Sequence, residues 1–107
     1  MKVRAVRVGP RAAADIRRIG SYIAYLGAPE SSVGYVGRMM GFVLRLDIGA
    51  ERGRAFDDIK PGLRVIAFEQ SATIAVIVSE KRVQVVRVFY RGQDWERSLR
   101  SQFRRMS

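Results

Sequence analysis

Apolar positions change their period along this chain, and each change marks an element. Lys2 to Val8 alternates valine with Lys2, Arg4 and Arg7, which predicts a strand at a sheet edge where the charged side chains stay wet. Gly9-Pro10 ends that alternation. From Arg11 onward Ile16, Ile19, Ile23 and Leu26 recur at helical spacing, with Asp15, Arg17 and Arg18 off the stripe. Gly27-Ala28-Pro29 closes the first helix, and Pro29 is suited to open a second. That second helix is expected from Glu30 to Asp47, its apolar stripe being Val33, Val36, Met40, Val43 and Leu44. The two helices form a hairpin. Gly34, Gly37 and Gly41 fall near one helix face, where they either admit another helix closely or loosen their own.

After a polar, glycine-punctuated connection at residues 49–55, the period becomes that of strands. Gly62 to Glu69, Thr73 to Val78 and Arg82 to Tyr90 are joined by short polar links, which favours an antiparallel meander. TIAVIV at 73–78 is apolar and β-branched throughout, the composition of a strand buried on both faces, so it is expected at the centre. Beyond Arg91-Gly92-Gln93, Trp95, Leu99 and Phe103 recur every four residues on a short C-terminal helix. Arg97, Arg100, Arg104 and Arg105 lie off that stripe, which is expected to pack on its own sheet. The expected class is therefore α+β in the order β-α-α-β-β-β-α, a twisted, mainly antiparallel sheet with a helical hairpin on one face.

At 107 residues the chain is expected to form a single domain over 1–107. Its net charge of +10 is unevenly placed. Residues 1–27 hold six Lys/Arg and one acid, residues 80–107 hold eight and three, and the middle is balanced with six of each sign. Such a field attracts nucleic acid or an acidic protein partner and is screened by salt. Arginine outnumbers lysine heavily, which suits bidentate contacts to phosphate or carboxylate. No apolar run is long enough to cross a bilayer and the first residues do not resemble a secretory signal, so a cytoplasmic protein with no membrane partner is expected.

Histidine and cysteine are both absent, which removes the commonest general base, the commonest metal ligand and any thiolate nucleophile. No cofactor and no metal are expected. Asp57-Asp58 alone is a weak metal site, and pairing with Lys60 or Arg64 is the better use of it. Arg64 and Arg87 sit in otherwise apolar strands. Each must reach solvent, pair with Asp57, Asp58 or Glu69, or meet an anionic ligand. One enzymatic option survives: a metal-free ribonuclease in which Arg64 and Arg87 stabilise a phosphorane, Tyr90 donates a proton, and Glu69 or Lys60 acts as base. The other option is a basic module that binds a macromolecule and stops it working.

The run ADIRRIGSYIAYLGAPESS from Ala14 to Ser32, Gly53-Arg54, DDIKPGLR from Asp57 to Arg64, and VVRVFYRGQD from Val86 to Asp94 together resemble the ParE branch of the RelE/ParE superfamily of bacterial toxin components. Such proteins often carry leucine-histidine where this chain has Phe89-Tyr90, and arginine-aspartate where it has Gln93-Asp94. The resemblance implies a toxin of a type II toxin-antitoxin pair, inhibiting DNA gyrase by binding, neutralised by an acidic-tailed, ParD-like antitoxin and reaching operator DNA only through it. It leaves two alternatives, a RelE-like ribosome-dependent mRNA endonuclease and an inactive homologue that only binds antitoxin. The absent histidine and lysine cluster lean against cleavage. On this reading Arg64, Arg87, Arg91 and Trp95 contact the target. Ile16, Ile19, Ile23, Val36, Met40 and Phe68 line an apolar groove for the antitoxin.

Overall fold

The computed structural model describes residues 3–104, so the expectations placed on Lys2 and Arg105 lie outside the described residues. The elements run β1 (Ala5–Val8), α1 (Pro10–Tyr25), α2 (Pro29–Leu44), a short α3 (Leu46–Gly49), a 3-10 turn (Ala50–Arg52), β2 (Arg54–Ala55), β3 (Leu63–Phe68), β4 (Ala72–Val78), β5 (Arg82–Tyr90) and α4 (Trp95–Arg104). The α+β class and the helical hairpin are as expected. The second helix is shorter than its apolar pattern implied, because the chain bends at Arg45 to drive Leu46 into the core with no exposed surface. Residues 49–55 were expected as a plain connection and instead hold the 3-10 turn and β2. Gly53 makes that strand possible: a Cβ there would lie 2.7 Å from Ile66 Cγ1 and 3.1 Å from the Val65 carbonyl.

The sheet order is β1-β5-β4-β3-β2, with β1 parallel to β5 and every other pairing antiparallel. β4 is the central strand, and β1 lies at an edge. The apolar run of β4 faces two cores. Ile74 and Val76 pack against the hairpin through Ile16, Ile19, Met39 and Val43. Ala75 joins Leu63, Val65 and Phe89 beneath Leu99 and Phe103 of α4. Each of the larger side chains among them, Val, Leu, Ile, Met or Phe, contributes about 1.5–3 kcal/mol when fully buried. A bulge between Ala75 and Val76 sets Ala75 opposite Arg87 and Val76 opposite Val85. The extra residue puts Val86 and Arg87 side by side on the α4 face before alternation resumes.

Val33 and Leu44 were assigned to the inner stripe of α2, yet they are 76% and 60% exposed; the buried line is Ser32, Tyr35, Met39 and Val43. The reason is the close approach of the helices at Gly20, whose carbonyl accepts the Ser32 hydroxyl at 2.7 Å and whose missing Cβ would sit 3.2 Å from Val36 Cγ2. Gly34, Gly37 and Gly41 admit no second helix: a Cβ at Gly37 would meet nothing within 4 Å, and one at Gly34 or Gly41 only the side chain of Arg38 or Arg45, each at 3.5 Å. Leu26 is also exposed, beyond the end of α1. Arg4, expected to be wet, is 6% exposed, because its guanidinium crosses the end of the sheet to the Ser79 carbonyl (2.7 Å) and Glu51 (2.6 Å). Asp15, placed off the stripe, is 4% exposed.

Candidate functional site

Asp15 is the hub of the polar structure. β1 covers β5 only as far as Val85, because the chain turns away at Gly9, whose N–H donates to the Val85 carbonyl at 2.9 Å. The next outward N–H of β5, that of Val88, has no strand to meet and donates to Asp15 Oδ2 at 2.9 Å. Arg87 Nε donates to the same oxygen at 2.7 Å and its Nη2 to Oδ1 at 3.2 Å. Arg18 adds a 2.6 Å contact to Oδ1. The Arg87 guanidinium also lies 4.7 Å from the Phe89 ring centroid. A buried carboxylate with four donors is fully satisfied.

Arg64 is held differently. Its Nη1 donates to the carbonyls of Gly53 (2.8 Å) and Glu51 (3.2 Å), not to Asp57, Asp58 or Glu69. It pairs across the ladder with Val76, on the hairpin face, whereas Arg87 pairs with Ala75, on the α4 face. The two strand arginines therefore rise from opposite sides of the sheet. Glu69 sits in the β3–β4 turn, where Arg38 of α2 donates to it at 2.8 and 3.1 Å. That contact pulls the Glu69 carboxyl below the ordinary carboxylate range and lifts the Arg38 guanidinium above its own. Tyr90 faces the hairpin side, edge-on to Tyr22 and Tyr35 at 6.2 and 5.8 Å. Lys60 lies on the α4 side. The five residues named for the ribonuclease option are not brought together, the two strand arginines lying on opposite faces.

Of the remaining candidates, Arg91 stacks over Tyr90 at 5.4 Å and is exposed, while Trp95 stands edge-on to Phe56 at 5.4 Å in the second core. Ile16, Ile19 and Phe68 are buried inside the hairpin core, with Ile23, Val36 and Met40 partly buried against it. The hairpin tip leaves four apolar side chains open, Tyr22, Tyr25, Leu26 and Val33, while Val3, Leu44 and Ile48 are exposed elsewhere. Beside it a cleft of about 340 Å³ runs between α1 and β5, walled by Arg18, Tyr22, Tyr90, Arg91 and Gln93. Asp57 accepts the Gly62 N–H at 2.9 Å and Asp58 pairs with Arg100 at 3.1 Å. Among the described residues no cluster of three Asp, Glu, His or Cys is placed to hold a metal ion.

Sequence reasoning missed Asp15, Arg38 and Gln93. Asp15 was findable: it is the lone acid of the first 27 residues, and it stands four positions before Ile19, on the buried face of α1. Arg38 acts through a tertiary contact to Glu69 that no local pattern announces, whereas Gln93 folds back locally to accept the Tyr90 N–H.

The model of the family described as "ParE toxin of type II toxin-antitoxin system, parDE" matches residues 6–95. The chain belongs to the ParE toxin family. Among solved structures it is similar to a chain of the "Chromosomal ParDE TA system from P. aeruginosa", at 24% identity and a TM-score of 0.70, covering 82% of this chain and 96% of that one. That likeness is one of fold. No curated protein sequence matches the chain. The matched ParE span takes in Asp15, Arg64, Arg87, Tyr90 and Arg91 and stops at Trp95, so most of α4 lies outside it.

Proposed function

We propose that this ParE-family toxin inhibits DNA gyrase by binding and is neutralised by a cognate acidic-tailed antitoxin. The observation that carries the reading is the placement of Arg64 and Arg87 on opposite faces of the sheet. A phosphorane needs its stabilising cations and proton donors within hydrogen-bond reach of one phosphate. Here Arg87 is bound to Asp15, Glu69 to Arg38, and Arg64 to backbone carbonyls. The set suits a rigid binding surface better than a cleavage site.

The target contact falls to residues with free surface, Arg91 and the adjoining Tyr22–Tyr90 cleft, with Arg87 and Trp95 holding that end of the sheet in shape. The antitoxin covers the exposed apolar tip at Tyr22, Tyr25, Leu26 and Val33 together with the partly buried Ile23, Val36 and Met40. Large apolar anchors on the partner supply the affinity and its acidic tail speeds encounter with a chain of this charge. The test is a supercoiling assay with purified gyrase, ATP and toxin. Inhibition or a trapped cleavage complex at micromolar toxin supports the reading, and its absence removes it. Codon-positioned cuts in a translating extract, lost in Tyr90→Phe, would establish the ribonuclease alternative instead.

A further inference from the structure

α4 covers only part of its face of the sheet, and the uncovered part is cationic. Val6 and Val8 of β1 point into the hairpin core, so Arg7 points the other way, beside its ladder partner Gln84. On β5, Val83 and Val85 face the hairpin core, so Arg82 and Gln84 share the face of Arg7. All three are exposed. Next to them a groove of about 980 Å³ separates the start of α1 from α4, and its rim carries Arg11, Lys60 and Arg97. Among the described residues Arg7, Arg11, Lys60 and Arg82 have no carboxylate partner, and Arg97 reaches Asp94 only at 3.9 Å. The acids bordering α4 on this side, Asp58 and Glu96, are both bound to Arg100.

We propose that this face, formed by Arg7, Arg82, Lys60, Arg11 and Arg97, binds the phosphodiester backbone of duplex DNA without reading its sequence. Five cations spread over two strands, a loop and two helices fit an extended polyanion. An acidic peptide lying in the groove would leave Arg7 and Arg82 unneutralised outside it. Ser98, Ser101 and the Gln84 and Gln102 amides supply neutral donors of the kind that contact phosphates. Of the aromatic rings of this face, Phe56, Phe89 and Phe103 are buried, and the half-buried Trp95 lines a separate cleft with Ala67, Thr73 and Arg91 instead of the groove, so unpaired bases laid along these cations find no ring to stack on and a duplex is favoured over a single strand. The surface is the toxin's own and is independent of the gyrase reading.

The experiment is fluorescence anisotropy of the purified full chain with a labelled 30-base-pair duplex and with a single strand of the same length, between 50 and 200 mM salt. Five phosphate contacts give a slope of about −4.5 in log K against log salt, a loss of roughly 500-fold over that range. Arg7→Gln/Lys60→Gln/Arg82→Gln lowers the slope to about −2, while Arg17→Gln/Arg45→Gln/Arg52→Gln, of equal charge on the hairpin side, keeps it near −4.5. Should the first triple lose its fold by circular dichroism, its single substitutions, each lowering the slope by about one, carry the same test. Equal slopes in the two triple variants, tighter binding of the single strand, or no duplex binding at 50 mM salt would each overturn the proposal.

Discussion

Asp15 of α1 and Arg87 of β5, 72 positions apart in the chain, meet in a two-bond ion pair that takes the place of a missing strand at the edge of the sheet. Breaking a buried pair from one side strands a charge, at a cost of about 3–5 kcal/mol. Asp15→Ala is expected to lose stability on that scale, since it also frees the Val88 N–H. Asp15→Ala/Arg87→Met should be less damaging than the two single effects added together. Urea unfolding of all four proteins closes the cycle; strict additivity would mean the pair is not coupled.

Gly37 and Gly62 are expected to respond in opposite directions to alanine. Nothing stands near a Cβ at Gly37, inside α2, so Gly37→Ala gains about 1 kcal/mol of helix propensity, a rise of roughly 4–8 °C in Tm for a domain of this size. Gly62 has φ +85° and its Cβ would lie 2.7 Å from the Val78 carbonyl, so Gly62→Ala is destabilising. Thermal melts of both variants check the pair.

Tyr35 sets an alkaline limit. Burial, more than any neighbouring charge, raises its phenol above 10.0, and its hydroxyl is 2.7 Å from Ser71 Oγ. The unfolded chain therefore ionises first as pH rises, so this contribution is whole below pH 10.0 and declines as pH climbs through the raised folded value. Tyr35→Phe loses about 1 kcal/mol at neutral pH through the missing hydrogen bond and shows a flatter decline above pH 10. Denaturant titrations between pH 8 and 11 compare the two slopes.

The β3–β4 turn holds Glu69 and Gln70 at φ 48° and 55°, left-handed values that cost a residue with a side chain about 1 kcal/mol each. Gln70→Gly is expected to stabilise by up to that amount. Glu69→Gly relieves the same strain but loses the Arg38 contact, so it gains less. A smaller Tm for Gln70→Gly than for the parent would refute the strain argument.

What could be read from the chain alone follows the same division between local and distant causes. The central position of TIAVIV and the Trp95-Leu99-Phe103 stripe express local period and composition, and both were legible. The inner line of α2 was not, because it is fixed by the contact at Gly20 rather than by α2's own hydropathy. Nor was the separation of Arg64 from Arg87. The face of Arg87 depends on the bulge in the β4–β5 pairing between Ala75 and Val76, a one-residue shift that reverses the side on which later residues of a strand emerge, while the regular β3–β4 ladder holds Arg64 on the hairpin face.

The far half of β5 has a further consequence for the chain in bulk. Its outward N–H groups at Val88 and Tyr90 are already engaged, by Asp15 and by Gln93 Oε1 at 2.6 Å. A strand from a second molecule arriving at that margin finds its donors occupied. Edge-to-edge polymerisation is discouraged there even when the protein accumulates.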